Sequence, residues 1–167
     1  MSEDKHAHRF GVLCQITRAQ HFAWRAAVVD LCPEIDAARV VDRMWELTGV
    51  QTGASYTKRL DASKPLAQQV AASIVWSSDC MGEDAVVEIG EGADEAFVRH
   101  DDCPWFHWHK RLGLLAEDRP GCDLWFQTTT EQINKRLGTK LKVETLKALP
   151  DGDNCCLRRF WVEQDQP

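Results

Sequence analysis

The sequence has 167 residues, a length that suits one domain with one hydrophobic core. Hydrophobic residues make up 44% and charged residues 28%, which excludes the disordered and low-complexity classes. Lys and Arg number 20 against 26 Asp and Glu, a formal net charge of −6. An acidic chain without a basic stripe argues against binding to a nucleic-acid backbone.

The sequence predicts neither a membrane span nor a secretion signal. No apolar run approaches the roughly 20 residues that cross a bilayer. The segment Met1–Arg9 is polar and lacks an apolar stretch. We therefore expect a cytoplasmic protein with a small-molecule substrate and with no nucleic-acid or membrane partner. The sequence leaves association into a homo-oligomer open.

The first part of the chain is predicted to be helical. Apolar residues recur at helical spacing over Gln15–Leu31. Pro33 suits the first position of a second helix over Glu34–Thr48, which Gly49 is expected to end.

Residues 49–57 are then predicted to form a loop. A third helix opens at Pro65. Its residues expected to face the core are Leu66, Val70, Ile74 and Trp76.

The pattern changes after residue 83. Asp84–Ile89 is rich in Val and predicts a strand, and Glu95–Arg99 predicts its hairpin partner across a Gly-Glu-Gly turn. Pro104–Leu115 is predicted to be a helix that begins at its proline.

The last part predicts a helix and a second hairpin. Pro120-Gly121 is expected to be a turn before a helix over Leu124–Leu137. Lys140–Leu146 alternates as a strand, and residues 150–154 are a strong turn signal. Cys155–Glu163 is predicted to be the final strand.

These elements predict an α+β fold, an antiparallel sheet of two hairpins with N-terminal and inserted helices packed on it. One domain spans residues 1–167. Its helical part covers residues 1–80, and residues 84–163 carry the candidate site.

Seven cysteines is a high count, but a chain of this length needs no disulfide framework. The densest segment, His100–His109, holds three histidines, two aspartates and a cysteine. Cys103 directly precedes Pro104, and a thiol at a helix N-terminus has a lowered pKa that favours thiolate. The alternative is that Cys103 only caps the helix and packs.

Three further cysteines are candidates for the same pocket. Cys122 precedes the helix predicted at Leu124, so like Cys103 it is a candidate thiol at a helix N-terminus. The alternative is that it is a small residue buried under the turn. Cys155 and Cys156 lie on opposite faces of the last strand, and the pattern alone does not choose between them.

Other residues near Cys103 are also candidates. His107 is one helical turn from Cys103 and within its reach, whereas His109 is expected at the surface. Trp105 and Trp125 are expected to form flat apolar walls of a ligand pocket. Arg158 or Arg159, whichever points inward, is a candidate clamp for a substrate carboxylate, unless both are solvated.

Several short motifs in this order resemble the L-2-amino-thiazoline-4-carboxylic acid hydrolase family. They are Cys103-Pro-Trp, Gly121-Cys122, Val143-Glu144-Thr145 and residues 152–156, Gly-Asp-Asn-Cys-Cys. The resemblance covers residues 84–163. It implies hydrolytic opening of a C–N bond in a small, carboxylate-bearing, cyclic amidine-like ring.

The same resemblance implies roles for individual residues. Cys103 would be the nucleophile, His107 or His100 the proton donor, and Asp102 an orienting group. The residues expected to bind substrate are Trp105, Trp125, Cys122, Cys156 and Arg158.

The arrangement is also similar to the 4-vinyl-reductase-type ligand-binding domain, some sensor versions of which hold zinc. Cys122, Glu144 and Cys156 match three of the zinc-ligand positions, but Lys147 stands at the fourth. The resemblance thus implies an alternative function, a non-catalytic small-molecule or metal-binding sensor-like domain. Its candidate cofactor is a divalent metal such as zinc, bound by Cys122, Glu144 and Cys156.

Overall fold

The computed structural model describes residues 2–163, which form five helices and a four-stranded sheet. The helices are α1 (Ser2–Leu31), α2 (Ala37–Tyr56), α3 (Leu66–Cys80), α4 (Pro104–Leu112) and α5 (Leu115–Leu137). The strands are β1 (Ala85–Ile89), β2 (Glu95–His100), β3 (Leu141–Lys147) and β4 (Cys156–Val162). A short 3-10 turn, Leu149–Asp151, lies between β3 and β4. The predicted α+β class is confirmed.

The sheet consists of the two predicted hairpins joined side by side. Its strand order is β1-β2-β4-β3, and every neighbouring pair is antiparallel. The hairpins meet along β2 and β4, where His100 lies opposite Cys156. This register places the end of β2 beside the start of β4.

Two predicted helix starts were wrong. The first helix begins at Ser2, well before Gln15. The second begins at Ala37 and not near Pro33, because Asp36 is its N-cap and Asp36 Oδ1 accepts a hydrogen bond from the Ala38 amide at 3.0 Å.

Gly49 does not end the second helix, and residues 49–56 are helical, not the predicted loop. A Cβ at Gly49 would lie 2.9 Å from Thr128 Cβ, and one at Gly53 would lie 2.6 Å from the Thr129 carbonyl oxygen. The two glycines therefore allow α2 and α5 to approach closely, which is a tertiary role that local helix-stop rules do not reveal.

We expect Gly53→Ala to lower the free energy of unfolding by about 1–3 kcal/mol, the usual cost of overpacking. The added methyl group would collide with the backbone of α5. Gly11→Ala is the matched control, since a Cβ there meets nothing within 4 Å. It should instead be neutral or stabilise by up to ~1 kcal/mol through helix propensity. Urea unfolding measures both, and equal effects would contradict the close-packing role.

The predicted turn at Pro120-Gly121 was also wrong, because α5 runs without interruption from Leu115 to Leu137. Pro120 is the sixth residue of this helix, so it lacks the amide that would pair with the Ala116 carbonyl, and the helix continues past this one missing hydrogen bond. A Cβ at Gly121 would lie 2.8 Å from the Trp45 ring, so this glycine also serves helix packing.

The core lies between one face of the sheet and the helices α2, α3 and α5. Its buried residues include Val70, Ile74, Val98, Ile133 and Phe160.

Trp76, which was expected to face the core, is instead 55% exposed, and the Arg59 guanidinium lies 4.8 Å from its ring centroid. Within residues 2–163, no helix has both the length and the apolar character that crossing a bilayer requires.

Candidate functional site

A cavity of about 300 Å³ lies where the ends of β2 and β4 meet the helices α2, α3, α4 and α5. Most of its wall is apolar, with Trp45, Trp105, Trp125 and Phe126 among the lining residues. The other lining residues that bear on its chemistry are Glu83, His100, Cys103, His109, Asp118, Cys122, Cys156 and Arg158.

Cys103 lies at the N-cap of α4, immediately before Pro104, as the sequence predicts. Its thiol does not have the predicted lowered pKa, because burial raises the pKa of Cys103 to about 12. Desolvation of the charged form thus outweighs the helix N-terminus. Cys103 is a neutral thiol at physiological pH.

Cys122 lies inside α5 and not at the predicted helix start. Burial raises the pKa of its thiol well above the ordinary value. Its Sγ atom lies 4.0 Å from Asp118 Oδ1. Cys156 lines the same cavity, whereas Cys155 is buried and is not among the lining residues.

His107 and Asp102 do not line the cavity. They pair with each other at the surface, with His107 Nε2 2.5 Å from Asp102 Oδ1, and both side chains are more than half exposed. The predicted contact between His107 and Cys103 assumed helical spacing, but Cys103 has extended backbone angles. The Cys103 side chain lines the cavity, whereas the His107 side chain is exposed.

His109 is buried in the cavity wall, although the sequence predicted it at the surface. Its Nδ1 atom lies 2.9 Å from the Trp105 carbonyl oxygen and 3.5 Å from Asp118 Oδ1. Because a carbonyl oxygen only accepts, the hydrogen-bond network assigns the proton to Nδ1. The neutral ring then has Nε2 as a proton acceptor.

Asp118, in the first turn of α5, was not predicted as a site residue. Its side chain is 4% exposed, and Oδ2 has no hydrogen-bond partner among the residues described. Burial raises the pKa of this carboxyl group, although the charges of His109 and Arg158 act in the opposite direction. The feature of the sequence that could have identified Asp118 is its position one helical turn before Cys122.

Arg158 points into the cavity and Arg159 points to the outer face of the sheet. The Arg158 guanidinium lies 4.3 Å from the Phe126 ring centroid, and Nε has no hydrogen-bond partner among the residues described. The carboxylate paired with it, that of Asp123, is 3.6 Å from Arg158 Nη2. Arg159 forms ion pairs with Glu95 and Glu144.

His100 belongs to a second polar group in the cavity wall. Its Nε2 atom lies 3.1 Å from Ser78 Oγ and 3.6 Å from Glu83 Oε2. Trp105 Nε1 donates a hydrogen bond to Glu83 Oε1 at 2.7 Å. These contacts fix the Trp105 indole in the wall, and they leave His100 apart from the exposed His107.

The predicted zinc ligands do not converge. Cys122 and Cys156 line the cavity, but Glu144 lies on the opposite face of the sheet, paired with Arg159. In the part of the chain that the structure describes, no group of three or more His, Cys, Asp or Glu residues is arranged to hold a metal ion. The residues therefore do not fit the predicted zinc site.

Aromatic side chains from α1, α2 and α4 pack behind the cavity. The ring centroids of Trp45 and Trp105 are 5.7 Å apart, and His21 lies 5.5 Å and 5.4 Å from them, respectively. Burial, assisted by the charge of His109, lowers the pKa of His21 to about 4. His21 is therefore neutral at physiological pH, and it serves as part of this aromatic packing.

A family model described as L-2-amino-thiazoline-4-carboxylic acid hydrolase matches residues 14–160. The chain belongs to this family. The match extends the resemblance found in residues 84–163 to α1, α2 and α3, so the family region includes the helices that close the cavity. A search of curated proteins gave no significant match.

Two solved structures share the fold. One is a trafficking protein particle complex subunit 3 from Naegleria fowleri, covalently bound to palmitic acid. It has a TM-score of 0.57 and 11% identity, and the match covers 92% of this chain and 97% of that one. The other is the phenol-responsive sensory domain of the transcription activator PoxR with phenol, with a TM-score of 0.52, 15% identity, and coverage of 87% and 74%. At these identities the likeness supports the fold alone.

Proposed function

We propose that this protein hydrolyses a C–N bond in a small heterocycle that carries both a cyclic amidine and a carboxylate. The observation that carries the proposal is the buried pair of Asp118 and His109 in a cavity that also contains the buried Arg158. Membership of the hydrolase family supports the reaction class. The family description names the first substrate to test.

His109 is the proposed general base, with Asp118 as its positioning residue. Nδ1 of His109 is held by the Trp105 carbonyl and lies near the Asp118 carboxylate, which leaves Nε2 to accept a proton from water. Asp118 then stabilises the imidazolium that forms, as the carboxylate does in other histidine-carboxylate pairs. This assignment replaces the thiolate of Cys103, whose raised pKa disfavours it as a nucleophile.

The reaction forms one bond and breaks one. Water adds its oxygen to the amidine carbon while its proton passes to His109. The ring C–N bond then breaks, and the imidazolium returns the proton to the departing ring nitrogen. A second proton passes from the added hydroxyl group to the same nitrogen as the carbonyl forms, so the nitrogen is released as an amine. The sum is the addition of one water.

Arg158 is the proposed partner of the substrate carboxylate. Its guanidinium is buried against Phe126, and its Nε has no partner among the described residues. A carboxylate accepts two hydrogen bonds from the guanidinium fork, so it satisfies such a group well. The positive charge also offsets the cost of bringing an anion into an apolar cavity.

The dimensions of the cavity suit a small flat ring. Its volume of about 300 Å³ lies at the lower end of the ~300–1,000 Å³ range of small-molecule pockets. Trp105 and Trp125 supply flat apolar surfaces, and the thiols of Cys103, Cys122 and Cys156 are proposed to pack against the ligand.

The test is incubation of the protein with L-2-amino-thiazoline-4-carboxylic acid, followed by mass spectrometry. We expect a product heavier by one water that contains a free amine, in amounts that grow with protein concentration. A ligand that binds but is never converted would contradict the hydrolase proposal.

The second candidate function is a non-catalytic small-molecule-binding domain. It is favoured by the largely apolar wall of the cavity and by the solved sensory domain of the same fold, which was crystallised with phenol. Calorimetric titration separates the two, since this function predicts saturable binding of small aromatic rings without any product.

A further inference from the structure

Helix α1 is apolar on two opposite sides, and this chain covers only one of them. Cys14, Arg18 and Phe22 are buried on its inner side. On the other side, Trp24 is 75% exposed and Leu31 is 76% exposed. Large apolar side chains exposed together on one side of a helix indicate a surface that a partner covers.

The exposed side contains one continuous stripe, which we call the outer face of α1. Except for the adjacent Ala19 and Gln20, its successive residues are three or four positions apart, so they lie along one side of the helix, opposite the buried Cys14, Arg18 and Phe22. The outer face consists of Arg9, Val12, Ile16, Ala19, Gln20, Ala23, Ala27 and Asp30, all of them exposed except Ala27, which is half-buried. This spacing is typical of the contact seam of two packed helices.

The outer face is complementary to itself when a second copy runs antiparallel. If the two-fold axis passes between Ala19 and Gln20, Val12 lies opposite the partner's Ala27. Ile16 likewise lies opposite the partner's Ala23. Each branched side chain then meets an alanine, which lets the two helices pack closely along their whole contact.

The charges at the two ends of the stripe fit the same arrangement. In this register Arg9 lies opposite the partner's Asp30, and two-fold symmetry repeats the pair at the other end. Neither Arg9 nor Asp30 has an ion-pair partner within the described part of the chain. A parallel arrangement would instead place like charges together, so the charges select the antiparallel one.

The flanks of the stripe extend the contact. Trp24 and Leu13 lie on the same side of the outer face, and Leu13 is 59% exposed. The two-fold axis brings Trp24 near the partner's Leu13, which covers both.

The contact is long enough for a dimer. It spans residues 9–30, about 33 Å of helix.

We propose that this protein forms a two-fold homodimer through antiparallel packing of the outer face of α1 against the same face of a second copy. The interface lies on the opposite side of α1 from the cavity wall, so the proposal does not depend on the proposed function.

The first test is the molecular mass of the full chain by light scattering over the micromolar range. We expect twice the chain mass of 19.0 kDa for the wild type. Ile16→Glu should give the monomer, because it places a charge in the seam. Gln15→Glu is the matched control, exposed on α1 outside the outer face, and it should remain a dimer. Circular dichroism checks that each variant is folded. A wild-type monomer, or an Ile16→Glu dimer, would overturn the proposal.

The second test is a charge exchange that reports the register. Arg9→Asp and Asp30→Arg should each raise the dimer dissociation constant by about 10-fold or more, since symmetry makes every change twice. The double variant should recover to near the wild-type value. Single variants that dimerise as well as the wild type, or a double variant weaker than both, would overturn the antiparallel register.

Discussion

Replacing His109 with glutamine should lower kcat for ring opening of the thiazoline by roughly 100-fold to 10,000-fold, the usual contribution of a general base. Glutamine keeps much of the volume of histidine and a hydrogen-bond donor, but it cannot accept a proton from water. The variant should still bind the substrate, because Arg158 and the aromatic walls are unchanged. Steady-state kinetics, with binding measured separately by calorimetry, checks the expectation.

His107→Gln is the matched control for this variant. His107 lies on the same helix but is exposed and paired with Asp102, outside the cavity. Cys103→Ser tests the alternative nucleophile: its neutral thiol is proposed only to pack against the ligand, so the change should alter KM more than kcat. Both should keep kcat within a few-fold of the wild type. Full activity in His109→Gln would reject His109 as the general base, and loss of kcat in folded Cys103→Ser would restore the thiolate mechanism.

The pH dependence of the same reaction reports on Asp118. Burial raises the pKa of this carboxyl group, so it gains a proton at a higher pH than an ordinary aspartate. In the wild type, kcat/KM should therefore fall as the pH drops through this raised pKa, because the protonated form no longer stabilises the imidazolium. In Asp118→Asn this fall should disappear from the profile, since the carboxyl group that titrates is gone. A purely structural role would lower the rate without moving the profile.

The sheet could be predicted from the sequence because its signals are local. The glycine-containing turns near residues 90 and 152 fix where the strands reverse, and alternating side chains fix which residues share a face. Pro104 likewise marks the start of α4, so the place of Cys103 at its N-cap followed from two residues.

The helix errors arose where tertiary contacts determine a residue that also has a local meaning. Gly49 resembles a helix stop and Gly121 a turn residue, yet each allows a neighbouring element to approach closely. Only the packing partner, Thr128 or Trp45, distinguishes the two meanings. A single sequence does not reveal which helices will touch.

Some of the residues proposed from the sequence line the cavity, and others do not. His100, Trp105 and Arg158 line the cavity. Because side chains alternate along a strand, Cys156 and Arg158 were expected on the same face of β4, as they are. The lowered pKa expected for Cys103 was wrong, because a helix N-terminus is a local feature and desolvation depends on the whole surrounding fold. His109 and Asp118 were missed because their pairing joins two helices.

Replacing Arg158 with glutamine should raise KM for the carboxylate substrate by about 10-fold to 100-fold, which corresponds to losing a hydrogen bond to a charged group, ~1.5–3 kcal/mol. The carboxamide of the same ring should be almost unaffected, because it has no negative charge to pair with the guanidinium. The measurement is KM and kcat for the acid and for its amide, in the wild type and in the variant.

Arg159→Gln is the matched control for Arg158→Gln, since Arg159 is the next residue of β4 but faces the outer surface, paired with Glu95 and Glu144. It should keep the preference of the wild type for the acid. The charge of Arg158 also lowers the pKa of Asp118. Its removal should therefore raise that pKa further and move the acid limb of kcat/KM to higher pH. A variant that binds acid and amide equally poorly, with an unmoved acid limb, would mean that Arg158 only supports the fold. A loss of acid preference together with the shifted limb would mean that Arg158 both binds the substrate carboxylate and lowers the pKa of Asp118.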